Sequence, residues 1–422
     1  MCKVHRVRGH HIVYDSTLHA RTLGRQIRIS DFQPGPLQIS LQQRDATIRA
    51  AVLVANSGFT SVAFRQSNIG GKPVYQQASL PEALITRHVS ENIRRITKVK
   101  QSDRQAIVKC IKALSAEGTD FNILKFDVRS FYESINPFAI VNDLRQDAAF
   151  SRQSIAVLES FFRALKAQGI VGLPRGFELS ATLAEFAMRS FDQRMADLRG
   201  VRFYSRYVDD ILVISSPNTA LEDVQTAASG WLPEGLSFRR NKTKAYEFGR
   251  RISAASQLEH EFVFLGYCVK VGQITRTDEG LQRAVTLDIA PNKVRKIKRR
   301  IALSLLDYND AGNFDDLHDR IKMLTSNYEF QDNKTGARRL AGVRYSYSLI
   351  DGQKSVALGS LDQFLYNAIY SSNSRNRLRP QLTTQQRRTL FGYSFRSGFL
   401  KNRFFAFEQN DLHRISRCWS HA

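Results

Sequence analysis

Phe203-Tyr-Ser-Arg-Tyr-Val-Asp-Asp-Ile-Leu-Val-Ile-Ser215 holds two short apolar runs that meet at Asp209 and Asp210. Phe203 and Tyr204 lead in and Ile211 to Ile214 lead out, a mix of aromatic and β-branched residues that predicts two strands. A turn between strands is the ordinary place for aspartate. Two adjacent aspartates there put two carboxylates at one exposed tip. Like charges so close repel, and the arrangement is costly unless a cation sits between them. Carboxylates with water are the usual ligands of Mg²⁺. Taken alone, the stretch is either an acidic hairpin turn or half of a metal site.

A second stretch, Asn122-Ile-Leu-Lys-Phe-Asp-Val-Arg-Ser-Phe-Tyr-Glu-Ser-Ile135, favours the metal site. Ile123, Leu124 and Phe126 predict a strand that delivers Asp127, with a turn and a helix start at Ser130. A third carboxylate at a strand end is what a two-metal phosphoryl-transfer centre needs: one ion activates the attacking oxygen, the other steadies the leaving pyrophosphate. Between these stretches lies Gly172-Leu-Pro-Arg-Gly-Phe-Glu-Leu-Ser180, a Gly/Pro turn running into a helix predicted over Ser180 to Met195.

The order of these motifs resembles the reverse transcriptase family. Asp127 with the following Phe131 and Tyr132 is similar to its first palm motif. Gly172 to Ser180 is similar to its Leu-Pro-x-Gly motif, and Tyr207-Val-Asp209-Asp210 to its Tyr-x-Asp-Asp box. Asn241-Lys-Thr-Lys244 resembles the lysine-bearing motif, and Phe264-Leu-Gly-Tyr267 the primer-grip hairpin. The resemblance implies an α/β right-hand polymerase of fingers, palm and thumb with an antiparallel-sheet palm. It implies an RNA-directed DNA polymerase in which Asp127, Asp209, Asp210 and the Val128 backbone carbonyl hold two Mg²⁺ ions, with Mn²⁺ as a substitute. Tyr132 stands where the family sets a bulky aromatic beneath the incoming sugar; the plainer alternative is a core tyrosine. Lys244 is the expected general acid toward pyrophosphate, with Lys242 close behind, although either lysine could simply support the triphosphate electrostatically. Arg104, among the basic residues of the expected fingers, is the candidate for the triphosphate, with Arg175 and Gly176 also at the nucleotide. Most of the family carries Gln at the position of Arg175; a permanent charge on a planar fork there implies unusual nucleotide or template selectivity. Phe264, Leu265, Gly266 and Tyr267 form the expected primer grip.

The chain has 422 residues, 42% apolar and 10% aromatic, enough for two or three domains. The net charge of +23 implies a polyanionic partner, most simply nucleic acid. No run of eighteen apolar residues occurs, and Met1 to Arg6 lacks the apolar core of a signal peptide. A cytoplasmic protein without a membrane partner is therefore expected. Cys2, Cys110, Cys268 and Cys418 are scattered, with no Cys-x-x-Cys pair to suggest zinc. Adjacent His10 and His11 cannot face one ion on regular structure and are read as surface residues.

The expected domains are an N-terminal extension over 1–74, fingers and palm over 75–287, a thumb over 288–330 and a basic C-terminal region over 331–422. In the extension, helical spacing runs over Leu23 to Ile29 and Arg44 to Val54, and Val62 to Phe64 reads as a strand before a turn at Gly70-Gly71. It either grips RNA or a partner, or packs behind the fingers. Amphipathic helices are predicted over Leu84 to Ile96 and Arg104 to Leu114, and a strand over Leu236 to Arg239. Val294, Ile297, Ile301 and Leu305 make one helical stripe, surrounded by cations among which Lys293, Lys296, Arg299 and Arg300 are expected on nucleic-acid backbone. Arg375, Arg377 and Arg379, with interleaved rings such as Tyr366, Tyr370 and Phe391, suit single-stranded or folded RNA.

The segment Phe177-Glu-Leu-Ser-Ala-Thr-Leu-Ala-Glu-Phe-Ala-Met188 resembles the bacterial defence-associated and abortive-infection reverse transcriptases, including the type-three defence enzymes. The resemblance implies DNA made from a non-coding RNA template and deoxynucleoside triphosphates, leaving a DNA product or an RNA–DNA hybrid, in anti-phage defence. A second reverse transcriptase or a homo-oligomer is a further expected partner. Untemplated or protein-primed synthesis is the alternative; a retron enzyme or a non-catalytic RNA-binding scaffold is less favoured.

Overall fold

The computed structural model describes residues 15–147, 149–250, 252, 257–278, 280–331, 338–370 and 380–419. Cys2, His10, His11, Arg375, Arg377 and Arg379 lie outside them. The chain divides into two compact units. The first comprises 1–101, 128–194 and 228–238; the second comprises 102–127, 195–227 and 239–422.

The first unit is mainly helical. Among the described residues its one sheet is a hairpin of β1 (Phe64–Ile69) and β2 (Lys72–Gln77), turning at Gly70-Gly71. The strand expected from Val62 starts at Phe64. The helix expected over Leu23 to Ile29 is broken: one turn spans Ala20–Gly24, and a 3₁₀ turn spans Ile29–Phe32. Asp31 explains the second turn, since its carboxylate takes the Arg28 backbone N–H and a bidentate pair from Arg87. That ion pair is buried, with 3% and 8% of the two side chains exposed, so removing either partner strands a charge. The Arg44–Ser57 helix buries Thr47, Ile48, Ala51 and Ala55. Through these residues the described part of the amino-terminal segment packs into this unit. Further helices span Leu80–Thr97, Pro137–Gln146 and Arg152–Ala167. The last buries Ile155, Leu158, Phe161, Phe162 and Leu165, the stripe its periodicity predicts.

The second unit holds the remaining strands. β3 (Phe121–Asp127), β4 (Val201–Tyr207), β5 (Asp210–Ser215) and β6 (Lys244–Phe248) form one antiparallel sheet in the order β4-β5-β3-β6. β5 is almost wholly buried after Asp210, which explains why it reads as a continuous apolar run rather than an alternating one. The strand expected over Leu236 to Arg239 is not one. At Arg239 the backbone N–H donates to the Asp127 carbonyl, and the chain then winds through a 3₁₀ turn at Arg240–Lys242, so that β6 starts only at Lys244.

A second antiparallel sheet contains β7 (Leu258–Phe264), β8 (Tyr267–Thr277) and β9 (Gly280–Ile289). The Pro291–Ala311 helix follows, with Ile301 and Leu305 fully buried and Val294 and Ile297 packed beside them. A small third sheet pairs β10 (Asn327–Gln331) with β11 (Arg338–Gly342) and with β12 (Phe404–Ala406). One apolar core runs through the unit, from Phe121 and Ile214 through Tyr267 and Val269 to Ile301, Leu361 and Phe395. Each fully buried side chain of this size contributes about 1.5–3 kcal/mol, and together they fix the strand ends on which the carboxylates sit.

Candidate active site

The sheet register places the acidic residues. β3 pairs with β5 so that Asp127 lies directly opposite Asp210, and β4 pairs with β5 so that Tyr207 faces Asp210. Val208 and Asp209 are therefore the two residues of a tight turn. Such a turn needs positive φ, normally supplied by Gly or Asn. Val208 adopts φ 60°, a strained state for a β-branched residue that costs about 1–3 kcal/mol. The buried Arg206 side chain donates to the Val208 carbonyl at 3.2 Å and steadies the turn.

Directly opposed like charges destabilise a sheet, and the electrostatics register this. Burial, followed by the negative charges of Asp209 and Asp127, pushes Asp210 up to about 6. Lys125 is drawn the other way: burial lowers its pKa, against the attraction of Asp210 and Asp127. Its ammonium donates to the Val263 carbonyl and lies 5.7 Å from the centre of the Phe264 ring.

Asp127 is 14% exposed and meets two cations, Lys242 Nζ at 2.9 Å from Oδ2 and Arg239 Nε at 3.0 Å from Oδ1. The Arg239 contact is an ion pair without hydrogen-bond alignment, so Oδ1 is buried and accepts no hydrogen bond. A buried carboxylate oxygen that accepts no hydrogen bond, beside a second carboxylate whose ionisation is suppressed by burial and by its acidic neighbours, is a donor set that suits a hard divalent cation. Among the described residues, no three acidic, histidine or cysteine side chains converge closely enough to form a metal-holding group by themselves. The fit therefore rests on the opposed pair Asp127 and Asp210, with Asp209 next in the turn.

A cleft of about 580 Å³ opens beside these residues. Asp127, Asp210, Lys242, Lys244, Leu265 and Lys293 are among its walls. The structure thus gathers the sheet carboxylates, both candidate lysines, the turn of the β7–β8 hairpin and the start of the Pro291–Ala311 helix around one space. Phe264 pairs with Tyr267 across the two-residue turn Leu265-Gly266, where φ is 45° and 79°.

Arg104 has an occupation that its helix periodicity did not reveal. Its Nε donates to the Leu265 carbonyl at 2.8 Å and its Nη1 to the Ser346 carbonyl at 2.9 Å. The guanidinium also stacks near Tyr267 and Tyr347, at 5.0 and 5.6 Å from their ring centres. It braces the Leu265-Gly266 turn with donors that were expected on a triphosphate.

Tyr132, Arg175 and Gly176 come together in the first unit. Arg175 makes a two-point ion pair with Glu133, Nε to Oε1 at 2.5 Å and Nη2 to Oε2 at 3.1 Å. Its guanidinium carbon lies 5.2 Å from the centre of the Tyr132 ring. Burial raises the Glu133 pKa, but the Arg175 hydrogen bonds, the local backbone N–H and the charges of Arg175 and Lys72 together outweigh it, and the net shift is downward. Leu173 N–H donates to the Tyr132 carbonyl at 2.8 Å, and Tyr75 N–H to the Arg175 carbonyl at 2.7 Å. The glycines of this loop are required: a Cβ on Gly172 would lie 2.4 Å from the Glu133 carbonyl oxygen, and one on Gly176 2.3 Å from that of Tyr75, with φ of 74° and 97°. Val128 is buried and bridges Phe238. Lys293, Lys296 and Arg299 are exposed on their helix, and Arg300 is half-buried.

Arg239, Lys125 and Glu133 were not singled out in the sequence. The cation run Arg239-Arg240-Asn241-Lys242 was a signal for the first. Lys125 needed the β3 register, and Glu133 needed the return of the loop at Arg175, 42 residues on.

Residues 77–269 match the family described as reverse transcriptase (RNA-dependent DNA polymerase). A domain of that kind is a nucleotidyltransferase of the polymerase class, and the sheet carboxylates and both candidate lysines fall inside the match. Among solved structures, the chain is similar to the RNA-dependent RNA polymerase of a human picobirnavirus (13% identity, TM-score 0.30, 50% of this chain and 43% of that one). It is also similar to apo telomerase from Candida tropicalis truncated from the C-terminal domain (13% identity, TM-score 0.27, 57% of this chain and 45% of that one). The chain therefore spans less than half of either structure. No curated protein is similar to the chain at a significant level. Among the described residues, no helix is long and apolar enough to cross a membrane.

Proposed function

We propose that the chain is an RNA-directed DNA polymerase that extends a 3′-hydroxyl with deoxynucleoside triphosphates. The observation that carries this reading is the register of Asp127 against Asp210, next to Asp209 at the turn, inside the segment matched to the reverse transcriptase family. Asp127, Asp209, Asp210 and the Val128 carbonyl are the residues that would hold Mg²⁺, or Mn²⁺ in its place. When bound, the cation supplies charge neutralisation at the attacking and leaving oxygens.

The chain's own residues account for the rest. Lys242 and Arg239 balance Asp127 in the free protein. Lys244, on the cleft wall beside Lys242, is the proposed proton donor to departing pyrophosphate. The Leu265-Gly266 turn, braced by Arg104, supports the primer end, and Tyr132 acts on the sugar of the incoming nucleotide. The template is proposed to be a non-coding RNA, and the setting bacterial anti-phage defence; the resemblance of Phe177 to Met188 to defence-associated enzymes supports both. The net charge of +23 supports nucleic-acid partners.

The test is to purify the protein with its bound nucleic acid and supply labelled deoxynucleotides and Mg²⁺, beside an Asp209→Asn control. Ribonuclease-sensitive, Asp209-dependent synthesis on a co-purified RNA supports the reading. Asp209-dependent label that survives RNA removal and stays on protein replaces it with protein-primed synthesis. No Asp209-dependent incorporation under either condition overturns it.

A further inference from the structure

The second unit contains another cavity, of about 230 Å³, against the Pro291–Ala311 helix. Lys293, Lys296 and Arg300 form one wall, and Met323, Tyr328 and Tyr347 are among the residues opposite. The three cations are spaced i, i+3 and i+7 and so share one helix face. Like charges at that spacing repel, yet no acidic residue lines the cavity among the described residues. Lys296 shows the strain: burial, then repulsion from Arg300, Lys293 and Arg299, lowers its pKa.

Arg300 is fixed rather than free to swing away. Its guanidinium packs near the Trp419 ring, 5.2 Å from the centre. The Trp419 indole N–H donates to the Arg300 carbonyl at 3.0 Å. Arg300 Nε is nevertheless buried without a hydrogen-bond partner. The rings are equally held: Tyr328 meets Phe407 edge-on at 5.8 Å, and Tyr347 meets Tyr267 at 5.6 Å with Arg104 behind it. Lys293 also lines the carboxylate cleft, so the two spaces share a wall.

A pre-formed hollow with two fixed rings, a thioether and three uncompensated cations calls for a ligand that is both planar and anionic. We propose that this pocket takes a single 5′-phosphorylated nucleotide, with its base against Tyr328 and Tyr347 and its phosphate on Lys293, Lys296 and Arg300. Ring–base stacking and cation–phosphate pairing are the two interactions by which single nucleotides are held. The proposal goes beyond backbone contact by a basic helix, because it assigns a base-binding pocket. The ligand can be a free nucleotide or the end of a bound strand.

The full-length protein would be irradiated in EDTA with 4-thiouridine 5′-monophosphate, or with a short RNA beginning in 4-thiouridine and bearing either a 5′-phosphate or a 5′-hydroxyl. Cross-linked residues are mapped by mass spectrometry. The expected result is labelling of the peptides carrying Met323, Tyr328 or Tyr347. Labelling by the monophosphate identifies a free-nucleotide site; labelling by the 5′-phosphorylated RNA alone identifies a strand-end site. Lys296→Gln is expected to lower labelling roughly tenfold, the worth of one charge-assisted hydrogen bond, and Ala341→Phe, which fills the pocket without changing charge, is expected to abolish it. Lys296→Gln lies on an exposed helix face and keeps the test valid if the filled variant misfolds. Label scattered over the surface, insensitivity to Lys296→Gln, or equal labelling by the 5′-hydroxyl RNA would overturn the proposal. Because no incorporation is measured, failure here leaves the polymerase reading standing, and the converse holds too.

Discussion

Asp210 is the residue at which the cost of the site is most visible. Its pKa is pushed up to about 6 by burial and by Asp209 and Asp127, so the folded state holds its proton more tightly than the unfolded chain does. The stabilisation from that proton is fully present below about pH 4 and is lost as pH rises through about 6. In metal-free buffer, Asp210→Asn is therefore expected to stabilise the protein at pH 7.5, on the order of 1–3 kcal/mol, and to give almost no gain at pH 4. Denaturant melts at the two pH values check it; a gain that grows toward acid would contradict the assigned crowding. Arg175 and Glu133 make a second residue-scale prediction. Their side chains are 24% and 34% exposed, so the pair is worth about 1 kcal/mol in a double-mutant cycle. If the pair orients Tyr132, Glu133→Gln and Arg175→Gln should each lower the preference for deoxynucleotides over ribonucleotides, and the double variant should lower it little further. Competition assays with the two nucleotide types measure this.

Among elements, the β4–β5 hairpin carries its functional turn in a conformation its sequence resists. Val208 holds φ 60°, where glycine would rest without strain. Val208→Gly should raise stability by about 1 kcal/mol and slow nucleotide incorporation, since relief of the strain loosens the carbonyl held by Arg206. Thermal melts and single-turnover rates read the two effects separately. The hairpin itself was legible because its information is local: apolar runs of the right length, two acids between them, and a partner strand announced by Ile123 and Phe126. The strand expected at Leu236 to Arg239 was not legible for the opposite reason. Its pairing stops at one antiparallel bridge, Phe238 to Val128, because the chain turns into a 3₁₀ helix at Arg240–Lys242. Arg104 misleads in the same way. A cation on an amphipathic helix looks solvated until the hairpin carbonyl of Leu265, 161 residues on, is seen to receive it.

For the whole molecule, the charge of +23 has a thermodynamic consequence. Affinity for nucleic acid should fall steeply with salt, by nearly one unit of log–log slope for each phosphate neutralised on a duplex. Lys293→Gln and Lys296→Gln are each expected to reduce that slope by about one if they meet phosphate; fluorescence anisotropy at a series of salt concentrations checks it. The sequence carries the sum of charge but not its placement. It did not reveal that three cations of one helix share a hollow with two tyrosines, because Tyr328 and Tyr347 arrive from elements further along the chain.

Single-nucleotide primer extension on a defined RNA template with Mg²⁺, run side by side on the wild-type protein and Asp127→Asn, reads the paired carboxylates at the chemical step. The expected result is template-directed incorporation by the wild type and a loss of at least about a thousandfold in the variant, with both proteins melting at similar temperatures. Equal incorporation by the two would contradict the assignment of Asp127 and Asp210 as the paired carboxylates of the reaction.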